Sequence, residues 1–397
     1  MIFLILLLCT ITPIKAEDNL NGYCDAKFST CQELTDKFIL YDVNPPEGFN
    51  LRRDVYMRFA IMLSESRKLN EKYWNLVLPP WHNLYHWMEY TSEPIPWSRF
   101  FDMPSLKKFA PVVELHEIFS ILKSTNFIID RLYVLNNYED AFEGGEFKDK
   151  WEINDCNYDE RFWEYKNITV REIVCVKFQG RISKLWEIIA LHPADKYVMF
   201  HHGEIPLHDH YGDKTFWDCR KSMKFNKELV ATAKKFISEK LLCYTDKCSN
   251  YLSIHLRRQD FAISRKRDVP SIKGAAIQVH KVIRTHYPHI EHIFVATDAE
   301  NTEILELEDR LTKLGYTMHL YKPSDVELVE FKDGGVAIID QIICSHAEHF
   351  IGTHESTFSF RIQEEREILG FDSSTTFNRF CPDSGRCKKP SKWTIIN

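Results

Sequence analysis

The sequence predicts an α/β fold made of two doubly wound halves that face a cleft. Short apolar runs of strand character alternate with stretches whose apolar residues recur at helical spacing. This alternation occurs once before and once after about residue 245. The chain also has 397 residues, more than one ordinary core holds, so two domains are expected. They are placed at 17–245 and 246–397, behind a leader at 1–16.

The leader "MIFLILLLCTITPIKAED" is an apolar run ending near Ala16. It is too short to cross a bilayer comfortably and reads as a secretory signal cleaved after Ala16, with a retained anchor as the rival. "KFILYDV" (37–43) is then a strand, and a helix runs from Leu51 to Ser66 with Asn50 as its N-cap. Prolines stop the strand "WNLVLPP" (74–80), and "FIIDRLYVL" (127–135) and "KYVMFHHGEI" (196–205) are further strands. "MKFNKELVATAKKFISEKLL" (223–242) is an amphipathic helix with Phe225, Leu229, Ala233 and Phe236 on one stripe.

The second half repeats the pattern more cleanly. The strand "YLSIHLR" (251–257) precedes a helix near 271–286, and "HIFVATD" (292–298) precedes one near 301–314. "TMHLYKP" (317–323) is the third strand and "GGVAIIDQIICSHAEHF" (334–350) a helix. "FIGT" (350–353) and the helix "STFSFRIQEERE" (356–367) close the order. Strands separated by helices pair in parallel, and such sheets bind ligands beyond their carboxyl ends.

Composition is that of a soluble globular protein, with 44% apolar, 27% charged and 13% aromatic residues. A net charge of −6 gives no basic nucleic-acid footprint. No later segment is long and apolar enough to span a bilayer. Eleven cysteines suit an oxidising compartment, with Cys9 in the leader. The close pairs Cys24/Cys31, Cys156/Cys175, Cys243/Cys248 and Cys381/Cys387 suggest local disulfides, whereas Cys344 sits in an apolar helical pattern as a buried thiol. Asn167 opens an N-glycosylation triplet.

Several residues carry candidate chemistry. Glu47 lies alone between two prolines and a glycine in "NPPEGFN", either a solvated loop charge or an acid aimed at a ligand. "IHLRRQDF" puts His255, Arg257 and Arg258 at a strand's carboxyl end, where an arginine fork matches phosphate oxygens; a surface ion pair with Asp260 is the rival. In "GTHESTFSFR", Ser356 and Thr357 open a helix, either as its cap or as part of a phosphate site. Asp340 lies inside an apolar run, where a carboxylate needs a partner, from the core or from a ligand's base or ribose. In "HHGEIPLHDHYGD", His201, His202, His208 and His210 are spaced too irregularly for a helical metal site. No Asp-x-Asp pair, P-loop, G-x-G-x-x-G or G-x-S-x-G occurs, which removes support for cation-dependent sugar-nucleotide, kinase, dehydrogenase and hydrolase readings.

The blocks "LYDVNPPEGFNLRRD", "LPPWHNLYHW", "IPWSRFFD", "HDHYGDK", "HLRRQDF", "DVPS", "FVATDA", "DGGVAIIDQ" and "STFSFRIQEEREILG" closely resemble the GDP-fucose protein O-fucosyltransferase family. They run from about residue 38 to "NRFC" at 378–381. The resemblance implies a GT-B fold with two Rossmann-like domains and GDP-fucose in the cleft. It implies inverting, metal-independent transfer of fucose to Ser or Thr of folded thrombospondin type 1 repeats in the endoplasmic reticulum, by a monomer needing no cofactor. It places the catalytic base on Glu47 and the donor contacts on Pro46, Glu47, Gly48, Phe49, Asn50, His255, Leu256, Arg257, Asp340, Thr357 and Phe358. Arg257 is assigned the charge building on the leaving β-phosphate. The branch that modifies epidermal-growth-factor-like repeats lacks the equivalent of Glu47. Two other readings stand beside this one: transfer to such repeats or to glycans, and a non-catalytic repeat-binding factor. The C-terminal "KWTIIN" carries no KDEL-like signal.

Overall fold

The computed structural model describes residues 37–384 and 387, apart from 45–46, 70–72, 83, 85–93, 139–141, 144–145, 157–166 and 378, together with 23–24, 31–32 and 395. The leader and its cleavage point lie outside these residues, as do Pro46 and all but one residue of the C-terminal hexapeptide.

Two large sheets form, as the alternation predicts, beside two small two-stranded pairings. The first holds β1 (Phe38–Tyr41), β2 (Asn75–Leu78), β3 (Val112–Glu114), β4 (Phe127–Asn136), β5 (Lys150–Asn154), β6 (Ile168–Gln179) and β7 (Tyr197–His201) in the order β3-β2-β1-β7-β4-β6-β5. Every pairing is parallel except that of β5 with β6. The second sheet is parallel throughout: β8 (Tyr251–Leu256), β9 (His292–Thr297), β10 (Thr317–His319), β11 (His349–Ile351) and β12 (Thr376–Phe377), in the order β10-β9-β8-β11-β12. All residues of β1, β2 and β8 are buried, as parallel strands covered on both faces require.

Helix α1 (Phe49–Lys68) covers the first sheet with Val55, Tyr56, Phe59 and Leu63, which share a core with Trp81, Trp97 and Phe100. Its N-cap is Gly48, so the expectation for Asn50 is corrected. Asn50 lies in the first turn, where its Oδ1 accepts from Arg53 Nη1 (3.2 Å) and from Gln341 Nε2 (2.9 Å). Helices α2 (Lys214–Ser222) and α3 (Lys227–Lys240) follow β7. α3 starts four residues later than the sequence suggested, because Asn226 Oδ1 caps it by accepting from Glu228 N–H (2.8 Å). It lies on the second sheet, with Phe236 edge-on to Phe294 and Tyr321. Leu229 and Ala233 thereby join one core with Phe294 and Ile338.

The second sheet is flanked by α4 (Ile272–His286), α5 (Asn301–Lys313), α6 (Asp325–Ser345) and α7 (Thr357–Ile368). α6 begins well before the expected Gly334, at a capping box in which Ser324 and Glu327 satisfy each other's backbone N–H. It breaks at Lys332, whose φ of 54° is left-handed. Beyond the break, the helix carries Asp340 and Gln341.

Disulfides join Cys156–Cys175, Cys243–Cys248 and Cys381–Cys387. Cys24 and Cys31 face one another in a two-stranded pairing, but their side chains lie outside the described residues. Cys344 is a buried free thiol as expected, and so is Cys219. Asn167 stands just before β6, its amide donating to the Thr125 carbonyl (2.7 Å).

One buried charge cluster spans the two halves. Arg220 Nε of α2 donates to Glu364 Oε2 of α7 (2.7 Å), and Arg361 Nη1 lies 2.9 Å from the same oxygen. Removing one partner leaves buried charge uncompensated, so Glu364→Gln is expected to destabilise the fold by about 3–5 kcal/mol. Denaturant melts of the two proteins measure this, and an unchanged midpoint would contradict it.

Candidate active site

Each sheet has a point where its connections diverge. From β1 the chain proceeds to β2 on one side, while β7 lies on the other; from β8 it proceeds to β9, with β11 opposite. Loops leaving adjacent strands part there, and open α/β sheets bind ligands in the resulting crevice. Glu47, Gly48 and the start of α1 follow β1, whereas His255 to Arg257 end β8 and Thr357 and Phe358 follow β11.

On the first sheet, Glu47 is held through its backbone. Its N–H donates to the Asn44 carbonyl (2.9 Å), and its own carbonyl accepts from Arg52 Nε (3.0 Å). The carboxylate of Glu204, from the loop after β7, accepts the Asn44 N–H through Oε2 (3.0 Å) and contacts His202 Nδ1 through Oε1 (3.1 Å). Partial burial raises the proton affinity of the Glu47 carboxyl above its ordinary value, the charge of Glu204 adds to this, and Arg52 opposes it. A carboxylate raised in this direction is better suited to accept a proton near neutral pH. Phe49 is buried against Trp81, Phe100 and Phe101.

On the second sheet, the half-buried Arg257 directly follows β8. Nη1 lies 2.9 Å from Asp298 Oδ2 and Nη2 2.7 Å from Asp260 Oδ1, so the ion pair with Asp260 exists. Its backbone N–H donates to Thr353 Oγ1 (2.9 Å), which ties the ends of β8 and β11 together. His255 is buried, hydrogen-bonded to Ser359 Oγ (2.8 Å) and stacked on Phe358 at 4.4 Å. Burial, with Arg257 adjacent, pushes its pKa down to about 3, so the imidazole is neutral. Leu256 packs into the core and its carbonyl accepts from Thr297 Oγ1 (2.6 Å). Ser356 holds the cap position of α7 without a side-chain capping bond, and Thr357 is exposed beside it. The first N–H groups of a helix have no partner within it and attract anions.

The two halves meet at the first turn of α1. Arg53 Nη1 donates to Gln341 Oε1 (3.0 Å), and the amide of Gln341 returns to Asn50. The guanidinium of Arg53 is buried against the rings of Phe49, Phe101 and Phe225, with Nε and Nη2 unpartnered among the described residues. Gln341 follows Asp340 on α6. Asp340 Oδ1 is buried with no hydrogen-bond partner among the described residues, and burial pushes this carboxyl well above the usual range. An unpaired acid in that position is a ready acceptor for N–H or O–H groups of a ligand.

The histidines of "HHGEIPLHDHYGD" disperse to different carboxylates: His201 to Asp42 (3.2 Å), His202 to Glu204 and His208 to Asp54 (3.1 Å). Sequence reasoning missed Glu204, Asn44, Arg53 and Gln341, although Glu204 lay inside that histidine-rich stretch. A surface hollow of about 480 Å³ lined by Phe236, Lys240, Ile304, Met318 and Lys322 includes none of the predicted site residues.

Residues 38–369 match the family described as GDP-fucose protein O-fucosyltransferase. GDP-fucose protein O-fucosyltransferase 2 of Homo sapiens is 41% identical, covering 90% of this chain and 90% of its own. The proteins of that name in Drosophila melanogaster and Caenorhabditis elegans are each 36% identical, over 90% and 91% of this chain and 82% and 90% of theirs. The crystal structure of POFUT1 in complex with GDP-fucose superposes with a TM-score of 0.60 at 16% identity, covering 87% of this chain and 98% of that one.

Proposed function

Since the chain belongs to the GDP-fucose protein O-fucosyltransferase family, we propose that it fucosylates Ser or Thr hydroxyls of folded thrombospondin type 1 repeats by an inverting, metal-independent displacement. The chain is a GT-B glycosyltransferase that moves fucose from GDP-fucose to protein. The finer reading rests on one observation: a carboxylate of raised proton affinity, Glu47, sits at the β1 end in "PPEGFN". In this reading the acceptor oxygen forms its bond to the anomeric carbon as Glu47 takes the hydroxyl proton. The bond from that carbon to the β-phosphate oxygen breaks, and its electron pair leaves with GDP. Arg257 and the N–H groups opening α7 face the growing phosphate charge, the part a divalent cation plays in other glycosyltransferases. Asp340 accepts from the nucleoside, and His255, neutral and stacked on Phe358, shapes the crevice beside it.

The acceptor assignment is supported by Glu47 itself and by the relatives, all named as the second member of the family. Three disulfides suit the lumen of the secretory pathway, and among the described residues no helix is long and apolar enough to cross a membrane. The test incubates the protein with GDP-fucose and either a folded thrombospondin repeat or a folded EGF-like repeat, with and without EDTA. One deoxyhexose is expected on the first repeat only, at a rate EDTA does not change. Gain on the EGF-like repeat alone refutes the acceptor assignment, and gain on neither refutes the transferase.

A further inference from the structure

The loop after β7 does more than flank the crevice. Its anchor is double. Arg58 Nη1 donates to the carbonyls of Glu204 (2.8 Å) and Pro206 (2.6 Å), while Arg58 Nη2 and His208 Nε2 hold the two oxygens of Asp54 at 2.7 and 3.1 Å. The loop is therefore fixed to α1, the helix that Glu47 precedes. At its start, His202 takes a left-handed φ of 61° and the Gly203 N–H donates to the Asp42 carbonyl (2.8 Å). A Cβ on Gly203 would come within 2.9 Å of that carbonyl oxygen, so the loop rests directly on the chain leaving β1. This contact delivers Glu204 to the base turn.

We propose that Glu204, held by His202, is the positioning residue for Glu47: one carboxylate oxygen clamps the turn that carries the base, and its negative charge faces that base. This rests on the reading of Glu47 as the general base. Glu204 Oε2 holds the Asn44 N–H, and the Asn44 carbonyl holds the Glu47 N–H, so a single residue links the two acids. Glu204 Oε1 holds His202, whose affinity for a proton this contact raises, while Glu204 itself stays ionised below the ordinary range. The other charged groups around the turn are Arg52 on α1, Asp42 at the end of β1 and His201, which pairs with Asp42. Of these acids, Glu204 acts most strongly on the Glu47 carboxyl. An acid kept ionised beside a base holds the base's proton affinity up, and its cationic partner limits how far.

The test uses opposite shifts. Glu204→Gln keeps an oxygen for the Asn44 N–H but removes the charge, so the acid limb of kcat/KM for fucose transfer should move to lower pH. His202→Asn tolerates the left-handed backbone and removes the cation, so the same limb should move to higher pH. Melting temperature and GDP affinity should stay at wild-type values in both, since neither residue is placed on the donor. A purely structural loop would lower the rate at every pH without moving the limb. Unmoved limbs, or shifts of the same sign, overturn the proposal; should Glu204→Gln fail to fold, the direction given by His202→Asn decides alone. Glu47→Gln is assayed alongside. If it retains transfer, the base reading itself is wrong, and that outcome is distinct from unmoved limbs in a series where Glu47→Gln is inactive.

Discussion

Glu47→Ala is expected to bind GDP as the wild type does and to transfer fucose about 10²–10⁴-fold more slowly. The side chain follows a strand of the first sheet, whereas Arg257, Asp340 and the α7 terminus, the groups assigned here to phosphate and nucleoside, lie with the second sheet. Its backbone bonds, to Asn44 and from Arg52, survive truncation to alanine, so the turn keeps its shape. What disappears is the acceptor for the hydroxyl proton. Calorimetry with GDP and mass analysis of the repeat separate the two effects. Loss of GDP binding in this variant would show that the acid is structural.

Arg257→Ala is expected to fail in both respects, with transfer about 10²–10³-fold slower and GDP affinity about 10-fold weaker or worse. The guanidinium is anchored by Asp298 and Asp260 just beyond the carboxyl end of β8, and a fork so held meets phosphate oxygens without first being ordered. Arg257→Lys retains the charge but not the fork, and should fall between wild type and alanine in both measurements. Donor affinity left at the wild-type level by Arg257→Ala would place the pyrophosphate elsewhere, on the α7 terminus alone.

The second half was legible in sequence because its two central strands are buried along most of their length: "YLSIHL" and "HIFVAT" are largely apolar runs bounded by helices of clear period. The long strand β6 was not seen, since Arg171 and Glu172 interrupt its pattern and its outer partner pairs with only the last five residues. The front of α6 escaped for a related reason. Val326 and Val329 are exposed there, so no apolar face announces the helix. At the site, Glu47, Arg257 and Asp340 could be singled out because a lone acid on a stiff turn, an arginine ending a strand and a carboxylate in an apolar run each break a local rule. Glu204 and Gln341 break none. Their roles come from partners 160 and 291 residues away, Asn44 and Asn50, and such pairings exist only once the chain has folded.

The Asn50–Arg53–Gln341 junction has a consequence for substrate geometry. The proposed inverting displacement needs base, anomeric carbon and departing phosphate on one line, and the residues we assign to its two ends, Glu47 and Arg257, follow strands of different sheets. The tolerance of this alignment is therefore the tolerance of the joint between them. Here part of the joint, the buried Asn50–Arg53–Gln341 contact, is made within the same turn of α1 that follows Glu47, beside the Arg220–Glu364 cluster described above. Slack introduced at Gln341 would be felt as misaim at Glu47, so the acceptor is presented to a jig whose two jaws are pinned together beside the workpiece.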